Sequence, residues 1–229
     1  MVEKLAEKLG IKFNNLDLLK QAVTHRSYLN EHRDYKLEHN ERLEFLGDAV
    51  LELVVTEYLY ANFPNPEGEM TNWRAALVNG EMLAKISTQL GVEEFLLMSR
   101  GESRDTGKAR QYLLANAFEA IIGAMYLDQG MDGYEVAKNF ILKNVVVELP
   151  EIIKNKTYMD PKSRFQEMAQ EQVGITPSYK VIEESGPDHA KKFVVGVFLE
   201  HDLVAKGEGM SKQEAQRNAA AAGLLVKSW

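Results

Sequence analysis

The stretch Asn40–Val50, NERLEFLGDAV, decides how this 229-residue chain is read. Its acids Glu41, Glu44 and Asp48 stand at i, i+3 and i+7. On an α-helix that spacing places all three on one face over about two turns. Leu43, Phe45, Leu46, Ala49, Val50 and Leu51 surround them with apolar side chains. A helix apolar on nearly every other side is expected to be buried. Carboxylates gathered there repel one another and lose hydration, so the pattern calls for a cation to neutralise them.

Working outward, a second stretch answers the first. In Leu113–Asp128, LLANAFEAIIGAMYLD, the small residues Ala115, Ala117, Ala120, Gly123 and Ala124 permit close approach of another helix. Glu119 is the only charge in the body of that helix, and a lone buried carboxylate is costly. Two readings stand. Glu119 shares a cation with the acids of the first helix, or it pairs with an arginine such as Arg42 or Arg74. Asn116 lies one turn earlier on the same face. Donors that are all oxygens favour Mg²⁺ or Mn²⁺ over zinc.

Composition narrows the classes. The chain has no Cys, which excludes disulfides and thiolate metal sites and suits a reducing cytoplasm. The N-terminal MVEKLAEKLG lacks the apolar centre of a signal peptide, and no apolar run approaches the roughly 20 residues that span a bilayer, so no membrane association is expected. A formal net charge of −7 is unusual for a protein that binds phosphate backbones, so local placement of Lys and Arg must carry any such function.

In chain order, helical spacing covers Val2–Leu9 and Leu16–Ser27, with Asn14 or Asn15 as a cap. In Thr24–Tyr28, THRSY, we read His25 as a structural histidine rather than a base. Asn30–His39 reads as loop. The central helix spans about Asn40–Phe63 and is stopped by Pro64 and Pro66. Glu67–Met70 is a turn opening a helix over Met70–Asn79, and another follows over Glu81–Leu90. Met98–Lys108 reads as a polar loop whose Arg100, Arg104 and Lys108 face either RNA or solvent. A helix over Tyr134–Val147 precedes a polar linker.

From Asp160 the pattern changes: a helix over Pro161–Gln172, alternation over Ser178–Glu183 and Lys192–Glu200, a short strand over Leu203–Lys206, and an Ala-rich helix over Lys212–Val226 capped by Ser211. The expected architecture is therefore a mainly α helical bundle over 1–149, a linker over 150–158, and an α+β domain of α-β-β-β-α order over 159–229.

ERLEFLGDAVL resembles the signature of ribonuclease III, the bacterial double-stranded-RNA endonuclease, and FQEMAQE, GPDHAKKF and GEGMSKQEAQRNAA resemble, in order and spacing, a double-stranded-RNA-binding domain. The resemblance covers nearly the whole chain. It implies a nuclease in which Glu44, Asp48, the residue at 116 and Glu119 hold divalent metal, with Glu41 and Glu67 as supporting acids. It implies a homodimer in which Phe45 packs into the partner, although a core Phe is a competing reading. In the second domain it implies duplex contacts by Gln166 and Glu167, by His189, and by Lys212 and its neighbour Gln213, which stands where a lysine is usual.

The chain departs from the family at Asn116, where the pattern has Asp. An amide oxygen still ligates a hard cation but brings no charge, which weakens metal binding. Two functions follow: an active endoribonuclease leaving 5′-phosphate and 3′-hydroxyl ends on ribosomal-RNA precursors and structured transcripts, or a silenced protein that only binds duplex RNA.

Overall fold

The computed structural model describes residues 2–104, 106–187 and 191–229. They form two compact units, one ending at Asn155 and the other beginning at Lys156. The first is helical: α1 (Val2–Leu9), α2 (Leu16–Ala22), α3 (Arg26–Glu31), α4 (Glu41–Asn62), α5 (Glu67–Val78), α6 (Gly80–Gln89), α7 (Lys108–Asp128), α8 (Gly133–Asn144) and α9 (Leu149–Asn155).

The centre of this unit is the packing of α4 on α7. Gly47 of α4 lies against the Glu119 backbone carbonyl, and Gly123 of α7 lies against the Leu43 carbonyl. A Cβ on either glycine would overlap that carbonyl oxygen, so only glycine allows the backbones this close. The two contacts also show that the helices run in opposite directions. Around the crossing, Leu51, Val54 and Val55 of α4 and Phe118, Ile121, Ile122 and Met125 of α7 are fully buried. Leu77 and Leu83 close the core from α5 and α6.

Several local expectations change. Helix over Leu16–Ser27 is interrupted because Thr24 forms a β-bridge with Leu97 and His25 caps α3, accepting from the Ser27 N–H. Helix α5 starts at Glu67 rather than Met70, directly after Pro66, whose restricted φ suits a helix entry. The segment read as a linker begins with α9, whose Leu149 and Ile152 are buried, so the helical unit runs on to Asn155. Leu149 and Ile152 stand three apart, a spacing too short to reveal a helix by periodicity alone.

Helix α4 is not buried all round. Its outer face carries Phe45, which is 81% exposed, with Ala49, Leu53 and Tyr60 also exposed. These positions share one side of the helix, so the apolar residues that made α4 look like a core helix form an uncovered stripe instead.

The second unit has α10 (Pro161–Val173), an antiparallel sheet in the order β1 (Ser178–Ser185), β2 (Lys192–Leu199), β3 (Asp202–Gly209), and α11 (Lys212–Lys227). Val181 pairs with Val195 and Val195 with Gly207. Phe165, Ala169, Val197, Leu199, Ala219, Ala220 and Leu224 make its core. Strand β3 is longer than the alternation indicated because Gly207 presses on the backbone of α11 at Ala219, and a glycine shows no alternation to read. Ser211 caps α11 by accepting from the Glu214 N–H, and the Glu214 carboxylate returns to the Met210 N–H.

Candidate active site

The close crossing of α4 and α7 brings the acids of both helices together. Glu119 is partly buried on the inner face of α7, and its pKa is pushed up to about 8. Burial is the main cause, with the negative charges of Asp48 and Glu44 adding to it. Glu44 is also raised, first by burial and then by the charges of Glu41 and Asp48. A hydrogen-bonding interaction from the Asn116 side chain opposes that rise. Glu44, Asp48 and Glu119 therefore feel one another's charge, and Asn116 acts on Glu44 from the facing helix. A set of anions that raises its own proton affinity in this way is equally an attractor for a metal cation.

The competing reading of Glu119 does not hold. Arg42 faces Glu38 at 3.9 Å, and Arg74 donates to the Thr56 hydroxyl at 2.9 Å. Neither neutralises Glu119. Among the described residues, no three His, Cys, Asp or Glu side chains converge tightly enough to form a finished chelate. Three mutually repelling carboxylates would be expected to stand apart without a cation between them. The donor types suit a hard divalent ion: carboxylate and amide oxygens, no sulfur, in a region where neighbouring carboxylates raise the proton affinity of Glu119.

Glu41 lies at the edge of this cluster, half-exposed, with Arg26 at 3.6 Å and His39 at 3.8 Å. Glu67 sits elsewhere. It opens α5 and lines a cleft of about 230 Å³ with Thr56, Tyr60, Met70 and Arg74. Thr56 is eight residues beyond Asp48, about 12 Å along α4. His25 caps α3, bonds the Ser27 hydroxyl at 2.8 Å, and has its pKa lowered chiefly by burial, which suits scaffolding.

Phe45 is too exposed to be a core residue. Phe45 itself lines a cavity of about 670 Å³ with the apolar Leu18, Leu43, Leu46 and Leu127 and the charged Glu38, Glu41 and Arg42, a feature that sequence patterning did not reveal.

In the second unit, Gln166 and Glu167 stand exposed on α10 and line a groove of about 570 Å³ with Met159, Ser163, Gln170 and Glu171. Glu167 faces Lys156 at 3.7 Å. Lys212 opens α11 and is held by Glu184 at 2.9 Å, above the Phe193 ring. Gln213 is exposed beside it, and His189 lies outside the described residues.

Comparison with known proteins bears on the two units as folds and families. Residues 15–149 match the family described as Ribonuclease-III-like, and residues 161–227 match the double-stranded RNA binding motif. Ribonuclease 3 of Desulforamulus reducens is 43% identical over 218 residues, covering 95% of this chain and 87% of the relative. Ribonuclease 3 of Enterococcus faecalis is 42% identical over 225 residues, covering 98% and 96%. Among solved structures, a nuclease domain of ribonuclease III from Campylobacter jejuni aligns with a TM-score of 0.58 and 43% identity, covering 66% of this chain and 99% of that one.

Proposed function

The chain belongs to the ribonuclease III family and is an endoribonuclease of double-stranded RNA, and we propose that Glu44, Asp48, Asn116 and Glu119 carry the cut. The observation that supports this assignment is the electrostatic coupling of Glu44, Asp48 and Glu119 across the α4–α7 crossing, with Arg42 and Arg74 engaged by other partners.

When bound, a divalent cation activates the attacking water and neutralises charge developing on the phosphate. Mg²⁺ suits these hard oxygen donors, with Mn²⁺ as a substitute. Glu44, Asp48 and Glu119 supply the negative charge that holds it, and Asn116 supplies an amide oxygen. Glu41, steadied by Arg26, reinforces the field at the edge. We keep Glu67 outside the ligand set and assign it a supporting role at its own cleft. Water attacks phosphorus, its oxygen bonds there, and the bond to the 3′ oxygen breaks. The products carry a 5′-phosphate and a 3′-hydroxyl.

The second unit, with its boundary near Asn155, grips duplex RNA by shape, as such domains do across two minor grooves and the phosphates between them. Gln166 and Glu167 on α10 face one groove, His189 enters the other, and Lys212 and Gln213 meet phosphate at the start of α11, where the helix dipole helps. Lys212 must exchange Glu184 for phosphate to do so.

We assign a homodimer. The C. jejuni relative is described as having a region involved in dimer formation. Here the exposed stripe of Phe45, Ala49, Leu53 and Tyr60 is apolar surface that water disfavours, and the cavity beside it is a socket of the right character for an aromatic ring. A two-fold axis makes each copy donor and acceptor at once.

Among the described residues, no helix is long and apolar enough to cross a membrane. With no Cys in the chain, we place its action in the cytoplasm, on ribosomal-RNA precursors and structured transcripts. The test is end-mapping of a long duplex RNA incubated with the chain and Mg²⁺. Fragments with 5′-phosphate ends that vanish on chelation support the reading. Intact RNA that still binds the chain supports the alternative, a silenced duplex-binding protein.

A further inference from the structure

We propose that Lys156, where the second unit begins, sets the affinity for duplex RNA by screening the Glu167 carboxylate on α10. This rests on reading Gln166 and Glu167 as duplex-facing. The groove that these two residues line with Glu171 carries two carboxylates, and among the described residues no Lys or Arg lines it. An RNA backbone brought against such a groove meets charge of its own sign, which opposes docking. The Lys156 ammonium stands 3.7 Å from the Glu167 carboxylate, with the two side chains 44% and 56% exposed. It therefore offsets one of the two charges while both groups stay open to a ligand.

The chain bends to place it there. Lys156 has a φ of +50°, a left-handed conformation that residues other than glycine seldom adopt and that carries strain. Its carbonyl accepts the Met159 N–H at 3.1 Å, closing a turn just ahead of α10. Glycine takes this conformation freely, yet the position holds a long cationic side chain that reaches back onto α10.

Net charge does not do this work. Residues 156–229 hold ten Lys or Arg against ten Asp or Glu, so attraction of a polyanion depends on where each cation stands. Lys212 is held by Glu184, and Lys162 donates to the Gln216 side chain. An exposed ion pair adds little to folding stability, so Lys156 acts on binding rather than on the Tm.

The experiment measures the Kd for a long duplex RNA, with chelator present so that nothing is cut, for the full-length chain and its variants. These are Lys156→Gln, Lys156→Arg, Glu167→Gln, Lys156→Gln combined with Glu167→Gln, and Gln166→Ala, each verified as folded by circular dichroism. Lys156→Gln keeps the strained turn and removes only the charge. It is expected to weaken binding about threefold, the size of a charge interaction at an exposed site. Lys156→Arg is expected to bind as the unaltered chain does, and Lys156→Gln to have no further effect once Glu167 is neutral. Equal weakening in both backgrounds overturns the proposal, because Lys156 would then meet the RNA itself. No weakening in either background overturns it too. Both results leave α10 at the interface, provided Gln166→Ala weakens binding. Gln166→Ala without effect removes α10 from the interface and the proposal with it.

Discussion

Gly47 on α4 rests directly on the backbone carbonyl of Glu119 on α7. The contact fixes the distance between the two helices and so the separation of the acids they carry. Glu119 thus takes part twice, through its carbonyl as packing surface and through a carboxyl whose proton affinity is raised by burial and by the charges of Asp48 and Glu44.

Gly47→Ala tests that relationship. Its methyl meets backbone, which cannot rotate away, so the helices must separate. Overpacking of this kind costs about 1–3 kcal/mol, occasionally more. We expect thermal denaturation to show a lower Tm and metal binding to weaken in the fraction that folds. An unchanged Tm would mean that the crossing adjusts freely.

Titration of the metal-free protein follows from Glu119. Its pKa rises from an ordinary 4.5 to about 8, so between those values the native state keeps a proton that the unfolded chain has lost. This group's contribution to stability therefore falls as pH rises through that interval and is level above it. Metal binding must release the proton, so affinity for Mn²⁺ should strengthen toward pH 8. Glu119→Gln should flatten both trends, leaving the part contributed by Glu44, whose pKa is also raised. Denaturation curves and metal titrations from pH 5 to about 9 check the two signs.

For self-association, Phe45→Ala removes one of the two highly exposed aromatic rings of α4, the one beside the cavity. If each ring fills the other copy's cavity, the variant should weaken dimerisation by roughly 2 kcal/mol or more, the scale of an interface anchor. Analytical ultracentrifugation reads this directly. Identical sedimentation of both proteins would remove Phe45 from the interface.

At the second unit, Lys212→Ala should weaken duplex binding with little dependence on sequence and lower the salt slope by about 1. Glu184→Gln should act in the opposite direction, because it frees Lys212 from its ion pair. Binding measured over a salt series separates the two. If Glu184→Gln weakens binding, the pair positions Lys212 rather than competing for it.

Much of this molecule was legible in the order of its residues. The acids of α4 and α7 announced themselves because charge in an apolar helix has few explanations, and the α-β-β-β-α order followed from a change of period at Asp160. What stayed hidden depended on three-dimensional contact. Tyr60 looks like a core residue in a string, Phe45 was open between the core and a partner contact, and packing reveals that both are exposed. Gly47 looks like a weak point in a helix until Glu119 is seen against it. Short α9 and the cavity beside Phe45 have no period to read.

The most direct test of the central claim is single-turnover cleavage of a long duplex RNA with saturating Mg²⁺ or Mn²⁺, comparing this chain with Glu119→Gln and Asn116→Asp while confirming duplex binding for each. The account predicts cutting by this chain and by Asn116→Asp, and a loss of at least about a hundredfold with Glu119→Gln at unchanged RNA affinity. Equal cutting by this chain and Glu119→Gln would contradict it, because the α4–α7 crossing would then not be where the phosphodiester is broken.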